Sequence, residues 1–175
     1  MALMRKSIVF TVCLMAAIVG ICWGEQKNNA APLEKVKEEN KMSMEKTYQF
    51  IKEAKVYYLA TVDGDQAHVR PFGTIHIFEG RLYIQTGRRK NVAKQLLANG
   101  KAEIVAMKGN EWIRVTGVLV DDNRREAKAS MLEEYPMLKG MYSADDDNTM
   151  VLYFKPGTVT SVINSMGKPP VEMKF

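Results

Sequence analysis

Cysteine is scarce in this 175-residue chain: there are two, Cys13 and Cys22, and both precede residue 25. Disulfides and thiolate metal sites are therefore excluded from everything that follows. Histidine is equally rare. His68 and His76 stand eight residues apart in one extended run, a spacing that does not suit metal ligation. No G-x-S-x-G occurs, and Ser130, Ser143, Ser161 and Ser165 have no recognisable triad context. The run Asp145-Asp146-Asp147 lacks the glycine and distal glutamate of a calcium loop and reads as an exposed acidic turn. Charge of one sign is not in excess: 25 Lys and Arg against 20 Asp and Glu give +5, well short of a nucleic-acid binder. No apolar run reaches the ~20 residues of a spanning helix.

What is present begins with a leader. Arg5 and Lys6 precede an apolar run from Ile8 to Trp23, and Gly24 is followed by polar EQKNN. A basic start, a short apolar stretch and a small residue before a polar switch describe a signal peptide over residues 1–24, hence a secreted or periplasmic protein. A leader that is not cleaved would instead anchor the chain in a membrane. Lipidation at Cys22 fits less well, because Ile21 is bulky where that signal wants a small residue. Cleavage removes both cysteines, Arg5 and Lys6 and no acid, so the charge falls from +5 to +3.

The apolar share of 46% suits one packed domain. Residues 25–54 read as a linker and then a helix, with Val36, Met44, Tyr48 and Ile51 at helical intervals. From residue 55 to 165 the pattern is mainly β. Strands are expected at 56–62, 67–78, 81–86, 101–107, 111–120, 150–154 and 158–163, separated by turn signals such as DGD and KGN. Short helices are expected at 91–99, ended by Gly100, and at 123–134, capped by Asn123, with a helical turn after Pro136. In the first, Val92, Leu96 and Leu97 should face inward and Lys94 and Gln95 outward. Residues 166–175 read as a peripheral tail. The sum is six or seven mostly antiparallel strands with peripheral helices, a set that tends to close into a barrel.

One strand has two unlike faces. Val69, Pro71, Gly73, Ile75 and Ile77 alternate with His68, Arg70, Phe72, Thr74, His76 and Phe78. The first set suits a core; the second mixes cations, a hydroxyl and aromatic rings and suits a cleft. Pro71 has no N–H and favours a sheet edge or bulge. The turn Thr86-Gly87-Arg88-Arg89-Lys90 then leads straight into a helix. A helix N-terminus presents free N–H groups and partial positive charge, so it attracts phosphate. Arg89 and Lys90 add cations there, Thr86 a hydroxyl, and Arg70 can close on the same anion from the neighbouring strand.

HVRPFG, LYIQTGRRKNVAKQL, WIRVTG and EEYPMLKGMYS, taken in this order and spacing, resemble the pyridoxamine 5'-phosphate oxidase-like flavin proteins over about residues 57–165. The resemblance implies a split β-barrel that dimerises, with FMN in clefts between two subunits. It implies phosphate and ribityl contacts at Arg70, Pro71, Phe72, Gly73 and Thr74, then at Gln85 and Thr86, then at Arg89 and Lys90. Trp112 falls where relatives reach the flavin, often from the other subunit. The expectation is an FMN-dependent oxidoreductase acting on a small molecule, with no protein acid or base named. Its rivals are a non-catalytic flavin carrier or sensor, and a relative that binds haem or the deazaflavin F420. The vitamin-processing oxidases end in an Arg-Leu-His-x-Arg type segment that grips pyridoxal phosphate; this chain ends SVINSMGKPPVEMKF and has none.

Overall fold

The structure, a computed structural model, describes residues 33–175. The expected leader and linker lie outside the described residues. Among those described, no helix is long and apolar enough to cross a membrane.

Helix α1 runs from Leu33 to Ala54 and buries Met44, Thr47, Phe50 and Ile51, one stripe at helical spacing; its first turns, including Val36, are exposed. Then come β1 (Tyr57–Asp63), β2 (Gln66–Phe72), β3 (His76–Phe78) and β4 (Arg81–Gly87). Helix α2 (Asn91–Ala98) leads to the hairpin β5 (Lys101–Lys108) and β6 (Glu111–Asp121). Helix α3 (Arg125–Glu134) and a 3₁₀ turn (Pro136–Gly140) precede β7 (Thr149–Phe154), β8 (Thr160–Ser165) and β9 (Lys168–Lys174).

All pairings are antiparallel, in the order β2-β1-β5-β6-β7-β4-β3, with β8 on β6 and β9 on β8. The long strand β6 joins the two halves: Glu111–Thr116 pair with β8, and Leu119–Asp121 pair with β7. Gly117 sits at the changeover, where an added Cβ would lie 2.9 Å from the Phe154 ring. The main core, including Leu59, Ile84, Ile104, Ile113, Val115 and Leu152, fills the barrel beneath α1 and α2. A smaller cluster of Tyr83, Ala127, Met131 and Val151 seats α3 on the other face of β4 and β7. Strand β4 is thus covered on both sides, which is why Leu82 through Gly87 are all buried.

The described residues form nine strands where six or seven were expected, for two reasons. The run 67–78 is broken: β2 follows β1 as far as Phe72, the chain turns off at Gly73, and β3 joins β4 in the other half. The expected peripheral tail is strand β9, and Phe175 beyond it is buried in the core.

Smaller differences concern helix faces and ends. Leu97 is exposed and Gln95 buried, because α2 turns Val92, Ala93 and Leu96 onto the core and the Gln95 amide has polar partners beneath it. Gly100 does not end α2 through a left-handed conformation; a Cβ there would meet the Leu119 carbonyl at 2.6 Å. Asn123 does not cap α3. The helix begins at Arg125, and Asp122 Oδ1 instead accepts from Arg124 N at 3.1 Å.

Candidate functional site

The break after Phe72 opens the sheet. Strand β3 covers β4 only as far as Tyr83, so the edge of β4 beyond it, Gln85 and Thr86, has no strand on that side. A cavity of about 280 Å³ occupies this gap. Arg70, Pro71, Phe72, Gly73 and Thr74 form one wall, Gln85 and Thr86 the floor, and Lys90 and Val92 at the entry to α2 the end. Leu138, Met141 and Tyr142, from the 3₁₀ turn and just after it, close the outer side.

Arg70 enters on the first part of the expected cleft face. Its Nη1 donates to Thr61 Oγ1 at 2.6 Å and to the Leu59 carbonyl at 3.2 Å, and its Nη2 donates to Gln95 Oε1 at 2.8 Å. Thr61 Oγ1 donates to the same Gln95 oxygen at 2.7 Å. These partners orient the fork without neutralising it. Desolvation lowers the Arg70 pKa, but a guanidinium keeps its charge throughout the working range. No acid lines the cavity, and among the described residues no carboxylate pairs with Arg70 or Lys90. Helix α2 starts beside them with no side-chain cap and no acid in its first turn. Positive potential here is therefore uncompensated.

The floor is polar and unsatisfied. Gln85 and Thr86 are 5% and 4% exposed, and both ends of the Gln85 amide and the Thr86 hydroxyl lack a partner. A buried polar group left unpaired costs ~1–3 kcal/mol, so such groups mark a place for a ligand. A ligand that fits this lining would place an anion by Arg70, Lys90 and the helix start and polar groups over Gln85 and Thr86. The residues present fit a phosphorylated, partly polar ring system.

Not every expected residue gathers here. Arg89 is exposed and does not line the cavity. Arg88 is spent on Asp121, at 3.0 and 2.9 Å from its two carboxylate oxygens. Thr74 lines the cavity, yet its hydroxyl accepts from Gln85 N at 3.1 Å and so braces the wall. Trp112 is elsewhere in the chain, half-buried on the outer face of β6 opposite Met107. The two faces expected for residues 67–78 hold only in part: Val69 is 65% exposed and Pro71 is exposed, because β2 is an edge strand with one face open, whereas Ile75 beyond the break is buried. His76 leaves the cleft altogether; its Nε2 lies 2.7 Å from Ser130 Oγ on α3.

Sequence reasoning missed Thr61, Gln95, Leu138, Met141 and Tyr142. The Pro136 break before MLKGMY was the available signal for the last three. Among the described residues no group of three His, Cys, Asp or Glu side chains can hold a metal ion.

Comparison with known proteins gives a consistent picture. A family described as Pyridoxamine 5'-phosphate oxidase matches residues 43–163. A NimC/NimA family protein from Clostridium acetobutylicum is 40% identical, covering 79% of this chain and 96% of its own, with a TM-score of 0.75. A pyridoxamine 5'-phosphate oxidase-related, FMN-binding protein from Nostoc punctiforme has the same fold at 17% identity, covering 75% of this chain and 86% of its own, with a TM-score of 0.53. A heme-binding protein from Mycobacterium smegmatis has it at 14% identity, covering 75% and 57%, with a TM-score of 0.58. No curated protein matches the sequence.

Proposed function

We infer, for a chain that belongs to the pyridoxamine 5'-phosphate oxidase family, that the cleft between β2 and α2 holds FMN and serves oxidation or reduction of a small molecule. The observation that carries this reading is the uncompensated pair Arg70 and Lys90 beside the unpartnered Gln85 and Thr86. Arg70, Lys90 and the first N–H groups of α2 would take the phosphate, and Gln85 and Thr86 the polar parts of the ribityl chain or ring. Phe72, Val92 and Leu138 would exclude water. FMN, when bound, supplies the redox chemistry; the protein supplies binding, orientation and charge. The FMN-binding relative of the same fold supports the choice of flavin.

A homodimer belongs to the same reading. The cavity of about 280 Å³ lies below the ~300–1,000 Å³ usual for a pocket that buries a ligand. Pro71 at its edge also belongs to an outer face that carries exposed apolar side chains. Tyr58 pairs with Pro71 and Val105, Val69 with Ala60, and Met107 with Trp112, so these side chains share the outer face of β1, β2, β5 and β6. Tyr58, Val69 and Met107 are 53%, 65% and 66% exposed on a face that also carries the Arg114–Glu103 ion pair, and open apolar side chains with a charged pair among them suit an interface. Two copies joined there would bring Trp112 of one toward the cleft of the other. The leader over residues 1–24 would direct the protein out of the cytoplasm.

A carrier or sensor would bind flavin without turnover. Haem is the less favoured ligand, since His76 is engaged by Ser130 and turned from the cleft. The test is the absorption spectrum of the purified protein after addition of FMN, followed by NAD(P)H consumption. Flavin bands with a stoichiometric complex support the reading, and NAD(P)H oxidation above that of free FMN supports an enzyme over a carrier. A Soret band without flavin overturns it.

A further inference from the structure

The wall of the cleft runs through backbone that no strand supports. Residues 73–75 have left β2 and not yet entered β3. Side chains replace the missing neighbour. Tyr57 Oη donates to the Thr74 carbonyl at 2.7 Å, and Gln85 N donates to Thr74 Oγ1 at 3.1 Å. At Ile75 one hydroxyl does both jobs of a strand partner: Tyr135 Oη accepts from Ile75 N at 3.0 Å and donates to Ile75 O at 2.9 Å. That exchange of both backbone bonds is what a hydrogen-bonded residue pair makes in an antiparallel ladder.

A tyrosine hydroxyl has one proton and can accept further, and its remaining capacity is used as well. Lys52 Nζ, from α1, donates to Tyr135 Oη at 3.0 Å and stands 4.3 Å from the centroid of the Tyr135 ring. Lys52 also pairs with Glu134, the neighbour of Tyr135 at the end of α3. Burial opposes the ammonium charge, yet hydrogen bonds to Glu134 and Tyr135 outweigh it and raise the Lys52 pKa. Meanwhile His76, one residue beyond Ile75, is fastened to the same helix through Ser130. Helix α3, which ends just before Tyr135, is therefore tied to α1 on one side and to β3 on the other.

We propose that Tyr135, seated by Lys52 and Glu134, is a positioning residue of the cleft, its hydroxyl standing in for a strand neighbour at Ile75 and so fixing the Gly73–Thr74 wall. It does not touch the cavity, since it is absent from the residues that line it. It acts through the backbone. This rests on the flavin reading only for the ligand used as a probe.

The experiment compares Tyr135→Phe with Tyr83→Phe, each of which keeps the ring and removes one hydroxyl. Tyr83 belongs to the cluster that seats α3, and its hydroxyl donates to Asp122 Oδ2 at 2.8 Å, away from the cleft wall. Y135F should weaken FMN binding about tenfold and speed hydrogen exchange of the Ile75 amide in flavin-free protein. Y83F should lower the melting temperature by a similar amount and leave both readouts unchanged. The proposal is overturned if Y135F keeps the wild-type FMN affinity, or if both variants lose affinity in proportion to lost stability. Should the wild-type chain bind no FMN, the flavin reading fails by itself. The Ile75 amide then decides: unchanged protection in Y135F overturns the proposal, and lost protection sustains it.

Discussion

Replacing Arg70 with alanine removes the cation on which the proposed phosphate contact depends. In the structure the guanidinium makes three hydrogen bonds, two from Nη1 and one from Nη2. Of its five N–H donors, Nε–H and one Nη2–H have no partner among the described residues. A guanidinium can grip a phosphate through two such donors. A hydrogen bond to a charged group contributes ~1.5–3 kcal/mol, so loss of this contact should weaken FMN binding about 10- to 150-fold. Stability should change little, because Thr61 and Gln95 keep their 2.7 Å bond to each other. Arg70→Lys keeps the charge without the fork and should fall between. Titration of FMN fluorescence quenching gives the affinities, and thermal unfolding checks the fold. An R70A variant that binds FMN within about twofold of wild type, at an unchanged melting temperature, would refute the reasoning.

Gly100→Ala should destabilise the fold by ~1–3 kcal/mol, read as a lower melting temperature, because the new Cβ meets a backbone oxygen that cannot move aside. Val69→Asp should leave the monomer folded and dissociate the proposed dimer in sedimentation, with FMN affinity falling alongside. For His76, desolvation depresses the folded pKa below 6.5, only partly offset by Glu134. The unfolded chain then takes up the proton first, so this contribution to stability is present above about pH 6.5 and declines as pH falls toward the folded value. The difference in melting temperature between wild type and His76→Gln should shrink across that window, and a difference independent of pH would contradict the assignment.

The strands were legible because alternation and turn chemistry act locally: VYYLATV, then DGD, then the return strand needs no distant information. The lining of the cleft was legible for a related reason. Arg70 and the Gly-Arg-Arg-Lys turn are polar where a core would be apolar, and a helix start follows at once. What escaped was set by distant contacts. Whether the 67–78 run stays straight depends on two different partner strands, and nothing within it says that β1 ends its claim at Phe72. The burial of Gln95 depends on a guanidinium and a hydroxyl brought from β2 and β1. Residues 168–174 read as a tail because KPP is poor strand sequence, yet β8 offers an open edge and Phe175 a place in the core. In the proposed dimer Trp112 and the exposed Val69 face would meet a second copy, to which one chain's alternation pattern gives no register.

The ratio of affinities for FMN and for riboflavin, which differ in the phosphate alone, bears most directly on the cleft as a phosphate site. Two charged contacts, from Arg70 and Lys90, at ~1.5–3 kcal/mol each favour FMN by roughly 10²–10⁴-fold at low salt. Equal affinity for the two would mean that these cations hold nothing, and the site as described would be wrong.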